Sequence, residues 1–452
     1  MNNYSTMPGT YKLTTLGCQM NKSDSERIKG LLEKIGMRET DDSEGADVLI
    51  YNTCSVRQKS EDRIYGLQAQ FEVLKQKNPS VIIAVTGCMP GRDRDGVLRE
   101  RLEYVDLFFP TEEIVLLPKR LSELRSDIID PNSIANYEYK HYLDIQPSYQ
   151  SLSQAFVPIS NGCNKFCTYC VVPYARGKQK DRPLRDILDE VRSRADQGCK
   201  EITLLGQTVN LYNPPDKEYF SLSNPFDHSK NGFAALIWEL NECSGIERIH
   251  FTAPHPQYMD NDTLDALCLP KQMNYVHLPV QSGSNAVLKR MNRPYTAEYY
   301  CERITELKKR KPTTALGTDI IVGFCGETDQ DFQQTVELYT FCDFDIAYLA
   351  MYSVRSGTAA HRMYKDDISK NVKKERWCEL QKIMEEIVLK KNQRYVGEVV
   401  SVLVDSFDKG MCSGNSREMK RVQFKGQNEF LGTLCDVKID RALEWVLYGT
   451  KV

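Results

Sequence analysis

Cys163, Cys167 and Cys170 fall within eight residues of the stretch NGCNKFCTYCVVP. Thiols packed that densely, in a chain with no secretion signal, indicate a metal centre sooner than a disulfide. A closed structural zinc site needs a fourth ligand at short spacing, and none of the six histidines lies within 20 residues of this loop. Iron–sulfur clusters also use cysteine-rich loops, normally with four thiolates in ferredoxins. Three thiolates would leave one iron able to bind something from outside the protein. Zinc, or an electron-transfer cluster completed by a remote thiol such as Cys199, is the competing reading.

Three further cysteines, Cys18, Cys54 and Cys88, each stand just beyond an apolar run, in LTTLGC, LIYNTC and AVTGC. In an open parallel sheet the carboxyl ends of the strands share one edge, where ligands bind, so cysteines far apart in sequence would converge there. Three ordinary buried cysteines are the plainer explanation, since free cysteine is among the most buried residue types. A redox pair would show a CxxC, which this region lacks. No other cysteine precedes residue 163, so this too is a site with three thiolates.

The elements that must position these residues follow from periodicity. A chain of 452 residues exceeds what one core usually serves, and two or three domains are expected. Up to residue 110, apolar runs at Tyr11 to Leu16, Val48 to Asn52, Val81 to Thr86 and Tyr104 to Phe109 alternate with helical patterns such as Ile64, Leu67, Phe71 and Leu74. Ser23 and Glu26 have the spacing of a capping box. This predicts a small domain with a parallel sheet. Residues 111 to 150 lose the rhythm and include Pro131 and Pro147, which reads as a connection between domains. Six candidate strands follow: Ala155 to Ser160, Glu201 to Gly206, Arg248 to Ala253, Tyr275 to Val280, Ala315 to Gly323 and Ile346 to Tyr352. Six β/α units fall short of the eight of a full barrel and predict an open, partial (β/α) barrel, with the Cys163 motif on its first loop. After Asp366, a charged helix carries Trp377, Leu380, Met384 and Ile387 on one face and ends near Arg394. Strands at Val399 to Val404, Arg421 to Phe424 and Leu434 to Ile439, separated by glycines, predict a small antiparallel barrel. The fold class is thus α/β multidomain, with boundaries at 1–145, 150–390 and 391–452.

The C-x3-C-x2-C motif resembles the signature of radical S-adenosylmethionine (SAM) enzymes. Together with LGCQMN, NTCSVR and TGC, it makes nearly the whole chain resemble the methylthiotransferase family, close to its MiaB-type branch. That resemblance implies that Cys163, Cys167 and Cys170 hold a 4Fe–4S cluster whose open iron chelates SAM. It implies that Cys18, Cys54 and Cys88 hold an auxiliary 4Fe–4S cluster carrying the sulfur to be transferred. The expected reaction is 2-methylthiolation of N6-dimethylallyladenosine at position 37 of tRNA, with two uses of SAM: one molecule for the methyl group and one for the radical that removes hydrogen from adenine C2. An aromatic C–H bond offers no acidic proton to a side-chain base, so a cofactor must carry the hard step. Gln19, Met20 and Asn21, with Ser55, Val56 and Arg57, mark this branch. The alternatives are threonylcarbamoyladenosine in tRNA, an aspartate on a ribosomal protein, and a non-enzymatic iron–sulfur RNA-binding protein. Two departures stand out: Cys325 in VGFCGE and Ser356 in VRSGT replace prolines usual in the family.

Loops after the later strands carry Gly206, Gln207, His255, Gln281, Ser282 and Arg355. Of these, Gly206, Gln207, Gln281 and Ser282, with Tyr169, are the candidate SAM contacts. The formal net charge of −3 points to no polyanion partner, but Lys409, Arg417, Lys420, Arg421 and Lys425 stand against one acid, Glu418. Such a run is ordinarily a solvated face. The resemblance of this segment to a TRAM domain, an RNA-binding module, turns it into a candidate phosphate-binding patch for the anticodon stem-loop. The N-terminus MNNYSTMPGTYK lacks a signal-peptide pattern and no apolar run is long enough to span a bilayer. A cytoplasmic protein is expected, with an electron donor and a sulfur donor as partners, and nothing demands more than a monomer.

Overall fold

Val48 to Tyr51 and Ile82 to Val85 are apolar at every position, as strands buried on both faces must be. In the computed structural model, which describes residues 9–129, 133 and 139–452, they form the centre of a five-stranded sheet. Its order is Arg38–Glu39, Thr10–Leu16, Val48–Thr53, Ile82–Gly87, Leu107–Pro110. All four pairings are parallel. Alternate residues feed two cores. Val48, Ile50, Ile82 and Ala84 face one, with Ile28 and Leu31 of the helix Gln19–Lys34. Leu49, Tyr51, Ile83 and Val85 face the other, with Ile64 and Phe71.

Two expectations for this part need correction. Ser23 and Glu26 form no capping box, because they lie inside the helix Gln19–Lys34, whose N-cap is Cys18. Residues 111 to 150 are also more than a connection. A 3-10 turn at Thr111–Leu116 and a helix at Leu117–Leu124 insert Ile114, Leu117 and Leu121 into the first core, joined there by Tyr142, Leu143 and Ile145. The helical spacing of those three apolar residues outweighs the polar residues between them. Residues 1–8 and Pro131 lie outside the described residues.

The chain forms two compact units. Of the described residues, the first comprises those up to 150, with 161–165 and 170–180, and the second residues 151–160, 166–169 and 181–452. In the second, the six expected strands appear as two parallel three-stranded sheets: Arg248–Phe251, Glu201–Leu205, Gln154–Pro158, and Tyr275–His277, Ala315–Val322, Ile346–Met351. The helix Lys370–Gln393 buries Arg376, Leu380, Met384 and Val388, a stripe that leaves Trp377 and Ile387 at its margins.

Within the same unit, residues 399–451 make a closed five-stranded barrel. Two of its strands, Met411–Ser416 and Leu447–Lys451, were not foreseen: each mixes glycine with polar residues, a poor strand signal. Four pairings are antiparallel, and Arg421–Lys425 closes the ring through a parallel pairing with Leu447–Lys451. Among the described residues no helix is long and apolar enough to cross a membrane.

Candidate cluster sites

The sheet of the first unit sets its thiols by register. Leu16 pairs with Thr53, and Thr53 with Gly87, so three strands end level. Cys54 and Cys88 are the next residues, and Cys18 follows Leu16 by two. Neighbouring strands lie about 5 Å apart, and the sheet order places the first two of these strand ends at its topological switch point. The Cys54 N–H donates to Leu16 O at 2.9 Å, and Gly87, at φ 102°, has no room for a Cβ against Thr53 O. The neighbouring Cys54 thiol pulls the Cys18 thiol down, while that same neighbour and burial push the Cys54 thiol up. Burial also pushes the Cys88 thiol up.

What surrounds the thiols is polar and buried. Asn21, Ser23, Asp24, Ser25, Glu26 and Arg27, consecutive but for Lys22, are all buried in the first turns of the helix Gln19–Lys34. Asn21 Oδ1 accepts from the Cys18 N–H at 3.2 Å. Asn21 Nδ2 donates to Asn52 Oδ1 at 3.1 Å, and Asn52 Nδ2 donates to Ser25 Oγ at 3.0 Å. Glu61 accepts from Ser55 and takes a two-point grip from Arg92 at 2.8 and 2.9 Å. The loop after Cys54 is thereby tied to the helix Cys88–Arg92. Arg176, 3% exposed, donates from Nε to Cys88 Sγ at 3.2 Å, from Nη1 to Asn161 Oδ1 at 3.0 Å, and from Nη2 to Asp24.

Among the described residues no three His, Cys, Asp or Glu side chains converge on a single ion. A cubane cluster seats each thiolate on its own iron, so level strand ends suit it better than a single point would. Sulfur here also receives the donors that cluster thiolates take: the Val56 N–H at 3.3 Å from Cys54 Sγ, and Arg176 on Cys88. The residues fit an iron–sulfur cluster.

The Cys163 motif divides between the units. In the first, the Lys165 N–H points at Cys163 Sγ at 3.3 Å and the Val172 N–H at Cys170 Sγ at 3.4 Å. Gly162, at φ 85°, lies against Lys178 O, and the Cys163 N–H donates to Gly177 O at 3.1 Å. In the second unit, Arg293 Nη1 lies 3.4 Å from Cys167 Sγ, while its Nη2 donates to Pro279 O and its Nε to the Tyr295 hydroxyl. These thiols, too, receive the N–H donors a cluster takes. Cys199 is fully buried, its thiol turned to Glu201 O at 3.4 Å.

Three family models match the chain: the Uncharacterized protein family UPF0004 over residues 10–110, the Radical SAM superfamily over 157–339, and the TRAM domain over 393–452. The tRNA-2-methylthio-N(6)-dimethylallyladenosine synthase of Clostridium botulinum (strain Okra / Type B1) is 38% identical over 449 residues, 98% of this chain and 97% of its own. The synthase of Thermoanaerobacter sp. (strain X514) is 40% identical over 450 residues, 98% of this chain and 92% of its own. The chain belongs to the methylthiotransferase family of radical SAM enzymes. SAM and 4Fe–4S clusters are the cofactors of that family. The fold is shared with TsrM from Kitasatospora setae, a radical SAM methyltransferase, at TM-score 0.54 and 12% identity over 89% of this chain and 78% of that one. The cobalamin-dependent radical SAM enzyme OxsB matches at TM-score 0.51 and 14% identity, over 85% of this chain and 56% of that one.

The remaining candidates of this methylthiotransferase scatter in role. Tyr169 is half-buried against a cluster of Val287, Met291, Phe324 and Tyr352, which also absorbs Cys325. Gln207 is half-buried in the bend two residues past the strand Glu201–Leu205. Gln281 stands at φ 73°, an uncommon conformation for a residue with a side chain. Two others have local work: the Ser282 hydroxyl accepts from the Ser284 N–H at 3.2 Å, and Gly206 is held to glycine by the Ser160 hydroxyl, 2.6 Å from where a Cβ would sit. His255 caps a turn, its Nδ1 facing the Gln257 N–H.

The basic run of the barrel is mostly committed. Lys420 is buried and pairs with Asp345 at 3.0 Å. Arg417 donates to Gln272 O at 3.0 Å, and Arg421 pairs with Asp405. Only Lys409 and Lys425 of the five are exposed. Arg176, Asp24, Asn52, Glu61, Arg92 and Arg293 were not singled out from the sequence. The one signal was a polar run, NKSDSER, opening a helix beside a sheet, and polarity there reads as a solvent face.

Proposed function

We propose that the chain converts N6-dimethylallyladenosine at position 37 of tRNA to its 2-methylthio derivative. The observation that carries this is the level set of Cys18, Cys54 and Cys88 at three adjacent strand ends, a second three-thiolate set in addition to the C-x3-C-x2-C motif. Its relatives along the full chain bear the name of that synthase. When bound, the two clusters and SAM supply the C–H activation, the sulfur and the methyl group.

The chain's own residues hold and shield. Cys163, Cys167 and Cys170 ligate the radical SAM cluster, and Cys18, Cys54 and Cys88 the auxiliary one. Tyr169, Gly206, Gln207, Gln281 and Ser282 line the SAM side, with Gly206 and Ser282 shaping backbone in place of direct contact. Residues 1–145 serve the auxiliary cluster, 150–390 the radical chemistry and 391–452 the RNA. Lys409 and Lys425 meet the phosphates of the anticodon stem-loop. An electron donor and a sulfur donor act with the protein, in a cytoplasm where thiols stay reduced.

Anaerobically reconstituted protein, given SAM, reductant and sulfide, is offered three substrates: a prenylated anticodon stem-loop, a threonylcarbamoylated one, and the ribosomal protein. Mass spectrometry then reads the added methylthio group. Product on the prenylated RNA is expected. Product only on either of the others overturns the proposal.

A further inference from the structure

Each cysteine set has one buried guanidinium on one of its sulfurs. Arg176 meets Cys88 in the first unit, and Arg293 meets Cys167 in the second. Both are buried, and both donate to protein acceptors besides sulfur: Asn161 and Asp24 for Arg176, Pro279 O and Tyr295 for Arg293. Arg176, with a carboxylate already opposite it, is therefore not a spare cation waiting for substrate. Arg176 is the better defined of the two. It ends the short helix Val172–Arg176, which begins two residues after Cys170. That helix packs so closely on the helix Cys88–Arg92 that a Cβ at Gly91 would overlap Ala175 O. Its charge is permanent, since a guanidinium is not deprotonated in proteins. Asp24, 1% exposed, grips its far side and supplies the opposing charge.

We propose that Arg176 is a positioning residue that sets the reduction potential of the auxiliary cluster through its hydrogen bond to Cys88, with Asp24 holding it there and trimming its charge. The inference rests on the assignment of Cys18, Cys54 and Cys88 as cluster ligands. Reduction adds one electron to a centre already made negative by thiolates. A cation and a hydrogen bond on a ligand sulfur stabilise the reduced state and raise the potential. A carboxylate behind the guanidinium works against that effect. Removing the two partners must therefore shift the potential in opposite directions. A purely structural ion pair predicts nothing of the kind, because loss of either partner disrupts the same contact.

The test uses the full-length chain with Cys163, Cys167 and Cys170 all changed to alanine, so that only the auxiliary cluster titrates. Reconstituted protein is titrated with dithionite and followed by electron paramagnetic resonance. Arg176→Gln is expected to lower the midpoint and Asp24→Asn to raise it. Each shift should reach about a tenfold change in the reduction equilibrium, about 59 mV for one electron. Arg176→Lys, which keeps the charge without the fork, should fall between wild type and Arg176→Gln. If Arg176→Gln fails to fold, Asp24→Asn alone carries the sign. A bound cluster with both midpoints unmoved, or moved the same way, overturns the inference and leaves the ligand assignment standing. Absence of any cluster from the triple-alanine chain overturns the assignment, and the inference with it.

Discussion

At the scale of single residues, a cysteine is informative because little else in a reduced chain needs a thiol at a defined spacing. The six ligand candidates were legible for that reason, and their test is direct. Cys88→Ala should lower bound iron from about eight to about four atoms per chain, with Cys163→Ala giving the same count from the other centre, by iron analysis after reconstitution. Arginine carries no such signal: Arg176 in YARG looks like any surface arginine until the fold buries it against Cys88. Histidine shows the same dependence. His250 lies against Tyr275 with the rings tilted, and burial lowers its pKa from the ordinary 6.5 to about 4, with His277 adding to the effect. The fold keeps it neutral, so between about pH 6.5 and pH 4 the unfolded chain binds more protons. Stability should fall as pH drops through that window, losing up to about 3 kcal/mol. His250→Phe should remove about 1.4 kcal/mol per pH unit of that slope in denaturant titrations across this range.

At the scale of elements, strands built on apolar runs were legible, and the glycine-bearing barrel strands and the packing between helices were not. The strand runs of the first unit carry continuous apolar stretches that no turn or surface helix would tolerate. The helix Gln19–Lys34 misleads, because its buried first turns are polar and pair with Asn52, Arg176 and the Leu143 carbonyl instead of with solvent. Gly91 is a similar case. In sequence it is a glycine after a proline; in the fold it is where the helices Cys88–Arg92 and Val172–Arg176 touch. Gly91→Ala should cost about 1–3 kcal/mol by overpacking. It should also lower retention of the auxiliary cluster while leaving that of the Cys163 centre, which separate iron counts in the two alanine backgrounds would resolve.

At the scale of the whole molecule, the terminal barrel shows how a charge run can hold two kinds of residue. Lys420 and Arg417 dock the barrel onto the rest of its unit, through Asp345 and through Gln272 O, joined by Arg248, which donates to Ser401 O at 2.7 Å and Asn415 O at 3.0 Å. Lys409 and Lys425 remain exposed. Lys409→Ala with Lys425→Ala should leave the melting temperature unchanged and flatten the salt dependence of tRNA binding by between about 1 and 2 in log–log slope. Lys420→Met should do the opposite. It should cost about 1–3 kcal/mol, since Asp345 keeps Lys391 at 2.8 Å as its other partner, and leave the salt slope as it was.

The sequence by itself determined the strands built on apolar runs and marked the six thiols, because apolar runs and cysteine spacing are local properties that survive without a fold. The tertiary structure alone decided which charged residues are interior. Burying a charge is tolerable only opposite a partner, and the charge partners of Arg176, Arg92, Lys420 and Arg248 lie 152, 31, 75 and 47 residues away along the chain. No spacing rule reaches that far. Strand register and helix contact bring those groups together, so the surroundings of the thiols become readable only once the chain has folded.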